Sequence, residues 1–349
     1  MAFPYGTTKD NVCMGMQSEA TFNTDPVGTA PTAGLIVMPM DIDPDGIKLN
    51  WQEALMPKQY EPQLGNTWVK KITEPDSAKP QITVEGKLCL EYIGYGSFLG
   101  KIMGVDPAGA SGENSTAGAG TISAAGTANV KSFTAEWGWK STAGSAEYSI
   151  LSTGTKPNRL TYIYEESKET IQRLNLIAAE ITPSTAFVTR VGGTEADALT
   201  PLSTRRALWA DTTFTWSNSL TPELSRFEVT IDRDLLWNHH LNAAKPSADM
   251  PYQAYIVTGT AAFKYESGEN EFLDLSKAGP GAVAGTHFVD SIQVTTDAAT
   301  GCYHDFTLDD VAFKYAGDIM CGPGRSIRSA VYDWEALAQI SGNITVKKP

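Results

Sequence analysis

Residues 82–92 read Ile-Thr-Val-Glu-Gly-Lys-Leu-Cys-Leu-Glu-Tyr. Ile82, Val84, Gly86, Leu88, Leu90 and Tyr92 alternate with Thr83, Glu85, Lys87, Cys89 and Glu91. A period of two places one set on each face of a strand, so this stretch predicts a half-buried β-strand. The same alternation recurs downstream at Phe133, Ala135, Trp137 and Trp139, then at Leu160, Tyr162 and Tyr164. It continues at Leu174, Leu176 and Ala178, at Phe227, Val229 and Ile231, and through Tyr255, Val257, Gly259, Ala261, Phe263 and Tyr265. Val311, Phe313 and Tyr315 follow, and then Ile344 with Val346. Turn formers separate these runs at Gly192-Gly193, Ser267-Gly268, Gly279-Pro280-Gly281 and Gly322-Pro323-Gly324. Short strands spaced by turns predict an all-β sandwich or barrel.

Only short helices are expected. Phe98, Leu99, Ile102 and Met103 share a helical face between Ser97 as cap and Gly104 as stop. A second helix is expected over Trp334–Gln339, capped by Asp333. Residues 104–129 are a run of Gly, Ala, Ser and Thr that buries too little to order itself, and predict a flexible insertion loop. Residues 1–50, rich in turn formers such as Asp43-Pro44-Asp45-Gly46, predict an extended N-terminal arm ahead of a β domain over 51–349. The tetrapeptide Ala-Phe-Lys-Tyr occurs at 262–265 and again at 312–315, too short a match to establish a repeat.

The 349 residues carry 27 Lys+Arg against 40 Asp+Glu, a formal charge of −13. That balance disfavours a general nucleic-acid binder, which needs a basic surface. No apolar run reaches the ~18 residues of a membrane span. The opening MAFPYGTTKDN does not read as a secretory signal. Cys13, Cys89, Cys302 and Cys321 lack the close pairing of a zinc site and fit a reducing compartment, a Cys302–Cys321 bridge remaining open.

Chemistry-bearing motifs are sparse. Gly94, Gly96, Gly100 and Lys101 miss both nucleotide-loop spacings, because Ile102 stands where Ser or Thr belongs. His239 and His240 are adjacent and cannot chelate together from a strand. Cys302, His304 and Asp305 read as a polar turn between strands rather than a nucleophile and its base. Asp41, Asp43 and Asp45 begin like a calcium loop, but position twelve is Gln52 and Pro44 interrupts it. No catalytic residue, cofactor or metal site is expected.

Five segments, taken in order, resemble the tail tube proteins of long-tailed bacteriophages. Met16–Thr24 (MQSEATFNT) looks like the family's opening phrase, with Asn23 where Gly is usual. Ile82–Gly104 resembles its strand followed by a short helix. Lys156–Glu165 (KPNRLTYIYE), Gln172–Ala179 (QRLNLIAA) and Ser225–Leu235 (SRFEVTIDRDL) resemble three later strands. Asn158-Arg159 and Arg233 depart from the family's usual Ser and Asn.

The resemblance implies a β-sandwich with a flanking helix. It implies a structural virion protein whose copies close into six-fold rings and stack into a tube for DNA ejection. The implied partners are further copies of the chain, tape-measure, terminator and tail-tip proteins, and genomic DNA passing without specific binding; no membrane is involved. Assembly would occur in the host bacterial cytoplasm. A single tube domain per subunit is favoured over two fused ones in a trimeric ring. An acidic lumen would repel DNA phosphates, and Glu228 and Asp232, opposite Phe227, Val229 and Ile231, are candidates to line it. Other readings are a tail terminator, a decoration protein, or a carbohydrate-binding β-sandwich.

Overall fold

The computed structural model describes residues 12–19, 21–25, 36–37, 40–52, 55–59, 71–75, 79–88, 102, 117–122, 132–140, 147–184, 206–217, 222–236, 249–252, 256–264, 288–299, 302–315, 329–336 and 340–347. Among them the strands are β1 (Val12–Ser18), β2 (Ile36–Val37), β3 (Met40–Gln52), β4 (Leu55–Gln59), β5 (Lys71–Pro75), β6 (Lys79–Leu88), β7 (Ala117–Ile122), β8 (Phe133–Lys140), β9 (Glu147–Glu165), β10 (Ile171–Ile177), β11 (Glu180–Ser184), β12 (Thr212–Trp216), β13 (Leu224–Asp232), β14 (Ile256–Lys264), β15 (Phe288–Ala299), β16 (Cys302–Tyr315), β17 (Ser329–Ala336) and β18 (Ile340–Lys347). The fold is all-β, as the alternation predicts. β4 and β5 pair with each other, and the other sixteen strands make one sheet. Its main path runs β12-β15-β16-β17-β14-β13-β9-β10-β6-β3.

The alternation that identifies β6 is also its burial pattern. Ile82, Val84 and Leu88 are buried while Thr83, Glu85 and Lys87 are half-buried on the other face. Phe227, Val229 and Ile231 on β13 do the same. The sheet folds over so that β12 and β16 face β9 and β13 across these side chains. Tyr162 of β9 stacks on Phe306 of β16, ring centroids 6.1 Å apart, and Tyr164 meets Phe214 of β12 edge-on at 5.8 Å. Trp216 of β12 lies 6.5 Å from Phe227 and 5.8 Å from Phe313. Each such aromatic contact adds about 0.5–1.5 kcal/mol beyond area burial. Trp334 of β17 stacks on Phe227 at 5.3 Å by reaching over Gly259, which stands in register between Trp334 and Val229. A Cβ at Gly259 would fall 2.5 Å from the Trp334 ring and collide with the Glu228 carbonyl.

β9 turns the corner of the sandwich. Its first half pairs with β8 and β11, and its second half with β10 and β13. The change falls at Gly154, whose φ of +60° suits glycine. A Cβ there would stand 2.6 Å from that of Ala179. The Gly154 N–H donates to Glu19 Oε1 at 2.8 Å. The same buried carboxylate accepts from Thr134 Oγ1 at 2.7 Å, Ser132 Oγ at 2.5 Å and the Asn23 N–H at 2.8 Å. Asn23 has a φ of 57°, so the position where the resembled family carries Gly has the backbone that Gly favours.

A second clasp holds the other side of the corner. Lys156, fully buried, pairs with Asp249 at 2.5 Å and donates to the Met250 carbonyl at 3.1 Å. The Tyr252 ring lies 5.6 Å from its Nζ and 4.4 Å from the Arg233 guanidinium. The Tyr252 hydroxyl donates to the Pro157 carbonyl at 3.2 Å. Ile177, Leu235 and Met250 form a small apolar cluster beside it, against which Phe22 packs.

Three expectations are corrected. Trp334 belongs to β17, not to a helix capped by Asp333: Tyr332 and Trp334 are buried and Val331, Asp333 and Glu335 exposed, a period of two. Pairing with β14 on one side and β16 on the other outweighs the local helix signal. Cys302, His304 and Asp305 lie within β16 rather than in a turn: all three pair with β15, and His304 and Asp305 also pair with β18. The low-complexity run contains β7, which is ordered by backbone pairing to β18. Within residues 1–52, β1 lies along β8 in a seven-residue register and β3 pairs with β6.

The Gly94–Lys101 stretch, His239, His240, Cys321 and the side chains of Trp137 and Trp139 lie outside the described residues. Of the first expected helix only Ile102 is described; its backbone is helical and its side chain buried.

Glu19→Ala strands several buried donors at once. We expect a loss of about 3 kcal/mol or more in denaturant unfolding, with Glu19→Gln costing less because one acceptor oxygen stays. An equal loss in both variants would contradict the carboxylate's role as a shared acceptor.

Burial raises the phenol pKa of Tyr162, Tyr164 and Tyr252 above the ordinary 10.0. The native state therefore holds these protons where the unfolded chain loses them, so the stability they contribute is full below pH 10 and lost above it. Lys156 works the other way: burial lowers it from 10.5, so stability gains with pH just below that value, where the unfolded chain holds its proton. Of the thirteen tyrosines, these three should ionise only with the cooperative alkaline unfolding transition, read by phenolate absorbance beside circular dichroism.

Candidate assembly surface

Side chains on β6, β10, β9, β13, β14 and β17 that point away from the aromatic core form one continuous face. Strand register lines them up in rows. Glu85, Arg173, Thr161, Thr230, Thr258 and Glu335 make one row. Thr161 and Thr230 share a hydrogen bond of 3.0 Å between their hydroxyls. In the adjacent row Lys87, Ile171, Ile163, Glu228, Thr260 and Asp333 follow one another.

Glu228 and Asp232 both stand on this face, opposite Phe227, Val229 and Ile231, as the alternation predicts. Each is held by a guanidinium. Arg226 donates to Glu228 at 2.7 Å, and Arg159 donates to Asp232 through Nε at 2.7 Å. Asp232 also accepts the Asp234 N–H at 3.1 Å. Glu85 is paired with Arg173 at 2.7 Å, and Glu169 with Arg206 at 2.7 Å. Lys264 pairs with Glu166. Exposed pairs of this kind contribute about 0–1 kcal/mol each, so their main effect is to cancel charge locally.

Further acids stand on the same sheet. Asp309, Asp310, Asp333 and Glu335 lie on β16 and β17, with Lys314 opposite Asp333. The Asp309 carboxyl is pushed up by burial and by the neighbouring Asp310. Asp310 has a φ of 53°, and at this point β16 exchanges one partner for another: β18 pairs up to Leu308 and β17 from Val311. β17 and β18 thus line one edge of β16 as a single interrupted strand. Asp305, Asp309 and Asp310 are close together in the sequence itself, whereas the helix expected from Asp333 removed Asp333 and Glu335 from the sheet face. The alternation of Tyr332 and Trp334 is the signal that would have found them.

Among the described residues no three His, Cys, Asp or Glu side chains come together as metal ligands. The Asp41, Asp43 and Asp45 side chains lie outside that set; Asp41 is in register with Lys87, and the backbone of Asp43 and Asp45 sits in a bulge of β3 between Ile42 and Ile47. No protein-family model matches the chain, and a search of the curated proteins finds no match.

Because the Asp309 pKa is raised, the folded state bears a cost for ionising it above that pKa and none below the ordinary value of 3.8. Asp309→Asn should raise the thermal midpoint by roughly 2 °C at neutral pH. The gain should vanish in a matched scan below 3.8.

Proposed function

We propose that the chain is a non-catalytic structural protein of the virion, the tail tube subunit of a long-tailed bacteriophage. Copies join into hexameric rings that stack into a hollow conduit for DNA ejection. The observation that carries this reading is a spatial one. The described parts of four of the five segments that resemble the tail tube family form adjacent strands, β6, β10, β9 and β13, of one sheet. The fifth reaches the corner of β9 through Glu19. Segments that resemble one family in order thus build a contiguous piece of the fold.

Two physical features support the reading. Among the described residues the sheet path has two ends, β12 and β3, and does not return on itself. Antiparallel strands at such ends can pair with the next subunit, and a head-to-tail contact of this kind closes a ring when its rotation divides a circle. Second, a conduit for DNA benefits from like charge on its wall. Glu228 and Asp232 stand on the outward sheet face, yet each is neutralised by an arginine. Asp333 and Glu335 carry the less compensated charge and are the stronger candidates for a phosphate-repelling wall. In this reading the partners are further copies, tape-measure, terminator and tail-tip proteins, and DNA in transit.

Negative-stain electron microscopy of the purified chain over a concentration series tests it. Hollow tubes with a regular axial repeat and a stained channel are the expected outcome. Rings that never stack would shift the reading to a terminator. Dispersed particles that bind immobilised glycans would replace it with a carbohydrate-binding sandwich.

A further inference from the structure

The aromatic core contains a polar patch. Thr170 Oγ1 and Gln172 Oε1 are enclosed and have no hydrogen-bond partner in the protein, and the enclosed Tyr164 Oη is met from the facing layer by Thr296. All three residues are at least nine-tenths buried. Register places them together: Gln172 stands opposite Tyr162 and Ile171 opposite Ile163, so Thr170, one step on, comes beside Tyr164. They share the inner face of β9 and β10. Facing them are β12 and β15, since Tyr164 meets Phe214 edge-on and Thr296 lies alongside the Tyr164 hydroxyl. Thr296 and Thr212 are in turn linked hydroxyl to hydroxyl at 3.2 Å. Thr212 donates to the Leu208 carbonyl at 3.3 Å, and Leu208 is exposed. A line of polar atoms therefore runs from the surface at Leu208 through Thr212 and Thr296 to Tyr164.

Adjacent enclosed polar atoms without partners are an unfavourable arrangement in a well-packed core. Small polar groups that converge from several strands are what bind internal water, which typically makes about three hydrogen bonds. A Thr hydroxyl and a Tyr hydroxyl each donate and accept, whereas Gln Oε1 only accepts. Water, with two donors and two acceptors, complements that set. A carboxylate or phosphate would find no cation among these residues.

We propose that this patch is an internal hydration site. Ordered water bridges Tyr164, Thr170 and Gln172, and enters along the Thr212–Thr296 line. It joins the β9–β10 layer to the β12–β15 layer by hydrogen bonds, in addition to the aromatic contacts. The site is a property of the single chain and does not depend on the assembly reading.

A crystal or cryo-EM map of the full chain that resolves ordered solvent tests the site directly. Water within roughly 2.7–3.2 Å of Thr170 Oγ1 and Tyr164 Oη is expected. A map with solvent resolved elsewhere and none here overturns the proposal. Thr170→Val, nearly isosteric, should lower the thermal midpoint by about 2–4 °C, because it removes one anchor of the water. A rise would mean that the hydroxyl is merely stranded and would also overturn it. Gln172→Met gives the same reading should the valine variant fail to fold.

Discussion

One carboxylate fixes the geometry on which the rest depends. β9 must leave one part of the sheet and enter the other, and the backbone at Gly154 has to turn through a left-handed conformation to do so. Such a turn exposes a backbone N–H that neither neighbouring strand can take. Glu19 takes it, and in the same place takes donors from β8 and from the segment after β1. Three segments far apart in sequence are thereby fixed at one atom pair. A buried carboxylate satisfied by several donors specifies one arrangement, because few alternatives leave as few groups unsatisfied.

Much of the sheet is legible in the sequence because half-buried strands advertise themselves. β6 and β13 each show one apolar and one polar face, and the period of two survives into burial; β10 keeps it only as far as Leu176, with Gln172 on the inner face. β8 and the second half of β9 were found by the same signal but conceal more. Thr134 and Glu136 are buried as well as Phe133 and Ala135, and Thr161 and Ile163 as well as Tyr162 and Tyr164. Where both faces are covered, alternation says that a strand exists but not which face meets the core. β7 was illegible for the opposite reason: its Gly and Ala residues carry no side-chain pattern, and its order comes from backbone pairing to a strand more than two hundred residues away.

The candidate surface was half legible. Alternation places Glu228 and Asp232 on the correct face, since it depends only on β13 itself. Their arginine partners could not be read in the same way. Arg159 reaches Asp232 only because β9 and β13 pair in one register, a fact fixed by long-range packing rather than by local composition. Net charge gives the sum but not the place. Asp309, Asp310, Asp333 and Glu335 are on β16 and β17, outside the five segments quoted for the resemblance.

β17 has a further consequence, in time rather than in space. It lies between β14 and β16, yet follows both in the chain, and its Trp334 covers the gap left by Gly259. During synthesis, every other strand of the main path is made before this one. Until residues 329–336 emerge, β14 and β16 have no common neighbour, and the β12–β15–β16 strands are not joined to the rest of the path by backbone pairing. The sheet therefore matures late, with a large loop-closure cost met at the end. A subunit built this way withholds its finished surface until nearly the whole described chain exists, which keeps unfinished copies out of any assembly that recognises that surface.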